Sequence, residues 1–144
     1  MDNKIKILFI DREQGEYLLI AEILSHIRHV EYELVWCDQL DLALNKILSQ
    51  EFDVALLDYY WGDANARDLL NAARVQACQT PIVVMTDEME TEVDREAIRA
   101  GAADYLIKGQ IDHLLLERAL RYAIERKRTE QHLSRLAHYD PLTD

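Results

Sequence analysis

The stretch FDVALLD, from Phe52 to Asp58, joins an unbroken apolar run, Val54–Leu57, to a terminal carboxylate. A run so short, with no polar alternation, suits a strand buried on both faces of a sheet better than an amphipathic helix. Comparable runs flank it at Ile5–Ile10, Leu34–Cys37, Ile82–Met85 and Tyr105–Ile107. The intervening stretches carry helical spacing instead. Tyr17, Ile20, Ala21, Leu24 and Ile27 form one stripe, and Leu40, Leu44, Ile47 and Leu48 form the next. Leu69, Leu70, Ala73 and Ala77 follow, then Val93, Ala97, Ile98 and Ala100. Pro81 stands at the mouth of the fourth strand, where a missing donor is tolerated, and Gly101 where a helix would stop. Strand and helix alternate five times, which predicts an α/β fold with a doubly wound, five-stranded parallel sheet.

The last helix is long. From Ile111 the chain reads IDHLLLERALRYAIERKRTEQHLSRLAHYD, with no glycine or proline before Pro141. Leu115, Leu116, Ala119, Leu120, Ala123 and Ile124 give its first half a face for the sheet, whereas Glu125–His132 is almost wholly polar. At about 1.5 Å per residue such a helix projects beyond a compact domain. It reads either as a solvated tail or as a connector that leads to another domain or pairs with its copy in a homodimer. The polar middle argues against a continuous heptad seam.

Composition narrows the class. The 144 residues suit one domain, and four glycines with two prolines argue against a disordered or linker-rich chain. A net charge of −11 makes nucleic acid a poor partner for most of the surface. Residues 1–110 carry 10 basic and 21 acidic side chains, whereas residues 111–144 carry six of each. No apolar run approaches the roughly 20 residues that span a bilayer, and MDNKIKILFI lacks a signal-peptide layout. Cys37 and Cys78 have no metal-like spacing and read as buried free thiols. A cytoplasmic location without membrane contact is the expectation.

Ligand sites in open α/β sheets lie beyond the carboxyl ends of the strands. There the sequence places Asp11-Arg12-Glu13 after strand one, Asp58 after strand three, Thr86-Asp87 after strand four and Lys108 after strand five. Taken singly, such residues are most often solvated loop positions or caps. Asp58 after VALL and Lys108 after YLI are the exceptions, because both directly follow buried strands. There is no glycine-rich phosphate loop, no nucleophile elbow and no zinc spacing among the five histidines.

KILFID, FDVALLD, TPIVVMT and GAADYLIKG, in this order and spacing, resemble the receiver domain of two-component response regulators over residues 4–125. The resemblance implies a flavodoxin-like fold and a switch protein rather than an enzyme. It implies that Asp58 accepts a phosphoryl group from a histidine kinase or phosphotransfer protein. Lys108 and Thr86 would contact that group, and Tyr105 holds the place of the aromatic switch, although an ordinary strand-edge tyrosine reads the same way. Mg²⁺ would be held by Asp11, Asp58 and the backbone carbonyl of Tyr60. Arg12 stands where a second acid usually follows the first, and an arginine cannot ligate a cation. Arg12 therefore points to solvent beside a weakened Mg²⁺ site, or enters the pocket and pairs with Asp58, or leaves Glu13 or Asp87 to swing in. A blocked site would make this a degenerate receiver, an interaction or dimerisation module that works without phosphorylation. Gly109 replaces the proline that commonly follows the lysine, and Asp87 adds negative charge beside the pocket. Tyr59, Tyr60 and Trp61 either cover the sheet edge or face a partner.

LAHYDPLTD at the end of the chain resembles the opening of a GGDEF-type diguanylate cyclase domain, and ALRYAIERKRTEQHL resembles the helix that joins receivers to such domains. The implied organisation is a receiver over 1–125, a linker helix over 126–137 and the start of an output domain over 138–144. The cyclic di-GMP chemistry would belong to that output domain, whose nucleotide-binding residues do not appear in this sequence.

Overall fold

A computed structural model describes residues 4–61, 64–87 and 96–138. Strands β1 (Lys4–Ile10), β2 (Glu31–Cys37), β3 (Val54–Asp58), β6 (Ile82–Thr86) and β7 (Asp104–Ile107) form one parallel sheet in the order β2-β1-β3-β6-β7. The intervening helices are α1 (Gln14–Ser25), α2 (Leu40–Leu48), α3 (Ala66–Val75), α4 (described over residues 96–99) and α5 (His113–His138). A two-residue ladder of β4 (Tyr60–Trp61) with β5 (Ala64–Asn65) follows β3, and a 3₁₀ turn, Lys108–Gln110, follows β7. The expected doubly wound parallel sheet is the observed fold.

The apolar runs are continuous because alternate residues serve two cores. Leu8, Ile10, Ala55, Leu57 and Val84 cluster with Ala43 and Ile47 of α2 and Leu69, Leu70 and Ala73 of α3. Ile7, Phe9, Leu56, Val83 and Met85 cluster with Ile20 and Leu24 of α1 and Leu116, Ala119, Leu120 and Ala123 of α5. The central strands β3 and β6, and β1 from Ile7 onward, thus lose water on both faces, whereas β2 and β7, expected to be buried as well, stay mostly half-buried because each is an edge strand with one neighbour.

Two of the expected stripes each include a residue that does not pack inward. Ala77 is exposed with φ 53°, so it ends α3 rather than packing on it. Its N–H donates to Arg74 O at 3.0 Å and that of Cys78 to Ala73 O at 2.9 Å, the Schellman closure usually given to glycine. Gly101, with φ 116°, closes α4 by the same pair of bonds, to Ile98 O and Ala97 O. Ile98 is 45% exposed, so only Ala97 and Ala100 of the described α4 stripe pack inward; Val93 lies outside the described residues. Cys37 is buried as expected, whereas Cys78 is only partly so.

Helix α5 starts two residues later than its apolar pattern, at His113. Asp112 Oδ1 accepts from the N–H of Leu115 at 2.8 Å, so Asp112 caps the helix. Beyond Ile124 the helix continues through its polar stretch and stays attached to the domain. Arg126 donates to Ala103 O at 3.1 Å and Gln131 to the Gln79 side chain at 2.6 Å, both at the amino-terminal edge of the sheet.

Candidate functional site

Four adjacent strands, β1, β3, β6 and β7, deliver the polar residues to one place. The N–H of Asp11 continues the β1 ladder onto Cys37 O at 3.1 Å, and its own carbonyl accepts from Trp36 Nε1 at 2.7 Å. This anchoring fixes the main chain of Asp11 at the sheet edge, where the residue is fully buried. Asp11 Oδ1 accepts from the N–H of Glu13 at 3.0 Å, whereas Oδ2 is buried and accepts no hydrogen bond. Asp58, 5% exposed, ends β3, and its carbonyl accepts from Trp61 Nε1 at 2.8 Å. Trp61 and Tyr59 are buried and join the core cluster on the α2–α3 side, so they cover the sheet edge. This indole ties the short β4–β5 ladder to the main chain of Asp58.

Lys108 reaches back from the end of β7. Its Nζ lies 3.2 Å from Asp58 Oδ1, 3.7 Å from Asp11 Oδ2 and 3.8 Å from Asp87 Oδ1. Burial acts to lower the Lys108 pKa, but the fields of Asp58 and Asp11 outweigh it, and the ammonium is held above its usual range. Asp11 moves the other way from most ion-paired carboxylates. Burial pushes its pKa up, and the Glu13 N–H and Lys108 only partly offset that. Thr86 is fully buried at the end of β6. Tyr105, paired in register with Val84, is 37% exposed.

Arg12 does not enter this cluster. It is exposed, and its guanidinium carbon lies 5.7 Å from the centroid of the Trp61 ring. Glu13 is exposed as well, so Asp87 is the additional acid that faces Lys108. The described residues contain no group of three His, Cys, Asp or Glu arranged around one cation position. What they offer is two carboxylates, one of them with an unsatisfied buried oxygen. That suffices for Mg²⁺, which keeps several waters and commonly takes only one or two carboxylates plus substrate phosphate oxygens. Of Tyr60 only the backbone is described.

Sequence reasoning located every one of these charges but missed what orients them. Nothing in the pattern announced that two tryptophans, Trp36 and Trp61, donate to the main-chain carbonyls of the two aspartates. A cavity of about 190 Å³ between α3 and α5, lined by Arg74, Cys78, Pro81 and Arg126, lies at the opposite edge of the sheet and shares none of these residues.

The family described as "Response regulator receiver domain" matches residues 7–120. The chain belongs to the response regulator receiver family. Among relatives, the alginate biosynthesis transcriptional regulatory protein AlgB of Pseudomonas putida is 30% identical over 107 residues, covering 74% of this chain and 23% of AlgB. The receiver thus spans under a quarter of the length of that curated relative. Among solved structures, the signal receiver domain of a putative Luxo repressor protein from Vibrio parahaemolyticus superposes with a TM-score of 0.76 at 17% identity, covering 90% of this chain and 97% of that one. The chemotaxis protein CheY4 of Vibrio cholerae gives 0.69 at 24% identity, over 83% and 98% of the two chains. These likenesses establish the receiver fold and the two-component regulator class. No helix among the described residues is long and apolar enough to cross a membrane.

Proposed function

We propose that this receiver accepts a phosphoryl group on Asp58 from a histidine kinase or phosphotransfer protein and relays the change through α5 to a diguanylate cyclase domain. The observation that carries the reading is Lys108, whose ammonium stands 3.2 Å from Asp58 Oδ1 inside a pocket closed by two buried aspartates. An Asp58 oxygen attacks phosphorus, the new O–P bond forms, and the P–N bond to the donor imidazole breaks, the imidazole leaving with a proton from solvent. Lys108 then pairs with a phosphoryl oxygen, and Thr86 offers its hydroxyl to another. Asp11, Asp58 and the Tyr60 carbonyl are the groups that would hold Mg²⁺, which neutralises the crowded oxygens during transfer. Tyr105, half-exposed on the strand that carries Lys108, is the side chain whose inward turn would report the change on the α4–β7 surface. The receiver in this reading is a switch and catalyses no turnover of its own.

The output is argued from LAHYDPLTD and the helix before it. Receiver, linker and output segments divide at 1–125, 126–137 and 138–144, and the last six residues lie outside the described chain. A homodimer through α5 and a cytoplasmic setting belong to the same proposal.

A second reading, a degenerate receiver that signals without phosphate, is favoured by Arg12 alone. Intact-mass spectrometry after incubation with acetyl phosphate and Mg²⁺ decides between them. One phosphoryl adduct on the native chain and none on Asp58→Asn supports the acceptor. No adduct at saturating donor, restored by Arg12→Asp, supports the degenerate receiver.

A further inference from the structure

Among the described residues the pocket sets one cation, the mostly buried Lys108 ammonium, against several acids. Lys108 faces Asp58, Asp11 and Asp87 within 3.8 Å, and Asp11 Oδ2 remains without a hydrogen bond. Converting the Asp58 carboxylate to an acyl phosphate adds further negative charge at this spot. A second cation is already close. Arg12 rests over Trp61, and Trp61 Nε1 is bonded 2.8 Å from the Asp58 carbonyl. The guanidinium is therefore held against a ring that is itself hydrogen-bonded to the acceptor's main chain.

Resting on the Asp58 reading, we infer that Arg12 is a phosphoryl-positioning residue. In the unmodified receiver it is parked on Trp61; once Asp58 is phosphorylated it leaves the ring and pairs with the phosphoryl oxygens. An exposed cation–π contact is weaker than a charge-assisted, bidentate guanidinium–phosphate pair, so the exchange runs toward phosphate. Before modification the competing attraction is small, because Asp58 is already paired with Lys108. The residue that subtracts an acid from the metal site thus supplies, after transfer, part of the charge the metal supplied during it. Lysine would keep the charge but lose the planar fork.

The test uses the 144-residue chain labelled with ¹⁵N, phosphorylated with acetyl phosphate and Mg²⁺, then treated with a chelator, with intact mass recorded in parallel. The Arg12 Nε–H cross-peak, assigned by its absence in Arg12→Lys, should carry a ring-current shift that Trp61→Phe removes. It should move on phosphorylation and stay unchanged in Asp58→Asn. The phosphorylation-induced rise in Tm should fall by more than half in Arg12→Ala and be partly recovered in Arg12→Lys. A fully phosphorylated protein whose Arg12 peak does not move, or whose Tm rise is the same in Arg12→Ala, overturns the inference and leaves the Asp58 reading standing. Absence of any adduct on Asp58 overturns both, and the mass spectrum tells the two failures apart.

Discussion

Lys108 Nζ lies 3.2 Å from Asp58 Oδ1, joining the end of β7 to the end of β3 across β6. The ammonium is mostly buried and also lies 3.7 Å from Asp11. Lys108→Met should therefore lower stability at pH 7 by about 2 kcal/mol, because two buried carboxylates lose their charged partner. The sign with pH follows from the raised pKa. The contribution of Lys108 is complete below its ordinary value of 10.5 and is lost as pH rises through its higher folded value. Urea midpoints of native and Lys108→Met protein should converge at strongly alkaline pH; a gap that persists there would contradict the ion-pair account.

Asp11 should behave in the opposite sense to a typical ion-paired carboxylate. Its folded pKa is raised, so its stabilising contribution is present below the ordinary 3.8 and lost as pH rises through the folded value. At neutral pH the ionised carboxylate is a cost. Asp11→Asn keeps the acceptor for the Glu13 N–H and replaces the unsatisfied Oδ2 by an amide. It should melt higher than the native chain at pH 7, with the advantage vanishing as pH falls toward 3.8. Thermal melts across that range read the outcome directly.

The two helix closures allow a paired experiment. Ala77 adopts a left-handed conformation that costs a side chain roughly 1 kcal/mol. Ala77→Gly should raise Tm by roughly 2–4 °C, and Gly101→Ala, at φ 116° and thus outside the left-handed helical well that a side chain tolerates, should lower it by more than that. The Cβ added at position 101 would meet Arg74 Cβ at 3.6 Å, an ordinary contact, so backbone strain rather than collision sets the cost.

Helix α5 divides into a packed half and an exposed half. Leu120 is fully buried against the sheet, and Leu120→Ala should cost about 2–5 kcal/mol. Leu133 is 58% exposed, so Leu133→Ala should stay within about 0.5 kcal/mol of the native chain in chemical denaturation.

The strands were legible because burial on both faces removes polar residues, and runs such as Val54–Leu57 can mean little else in a chain with these helix stripes. The charged residues of the site were legible by position, since Asp11, Asp58 and Lys108 each directly follow an apolar run. The β4–β5 ladder was not, because two-residue strands have no period to detect. Ala77 was misread because an alanine that closes a helix matches an alanine that packs on one. Trp36 and Trp61 escaped because their roles lie in bonds to main-chain carbonyls, which depend on where the backbone passes and not on any spacing of side chains.

Strand β7 is only four residues long, about 13 Å from end to end. Lys108 leaves one end toward the aspartates, and the carbonyl of Ala103, just before the other end, holds Arg126 of α5. The strand works as a short tie-rod between a charged pocket and the polar half of a helix some 26 residues long. The polar half of α5 and the charged pocket thus meet opposite ends of one four-residue strand, whose Leu106 also packs on the apolar half of the helix.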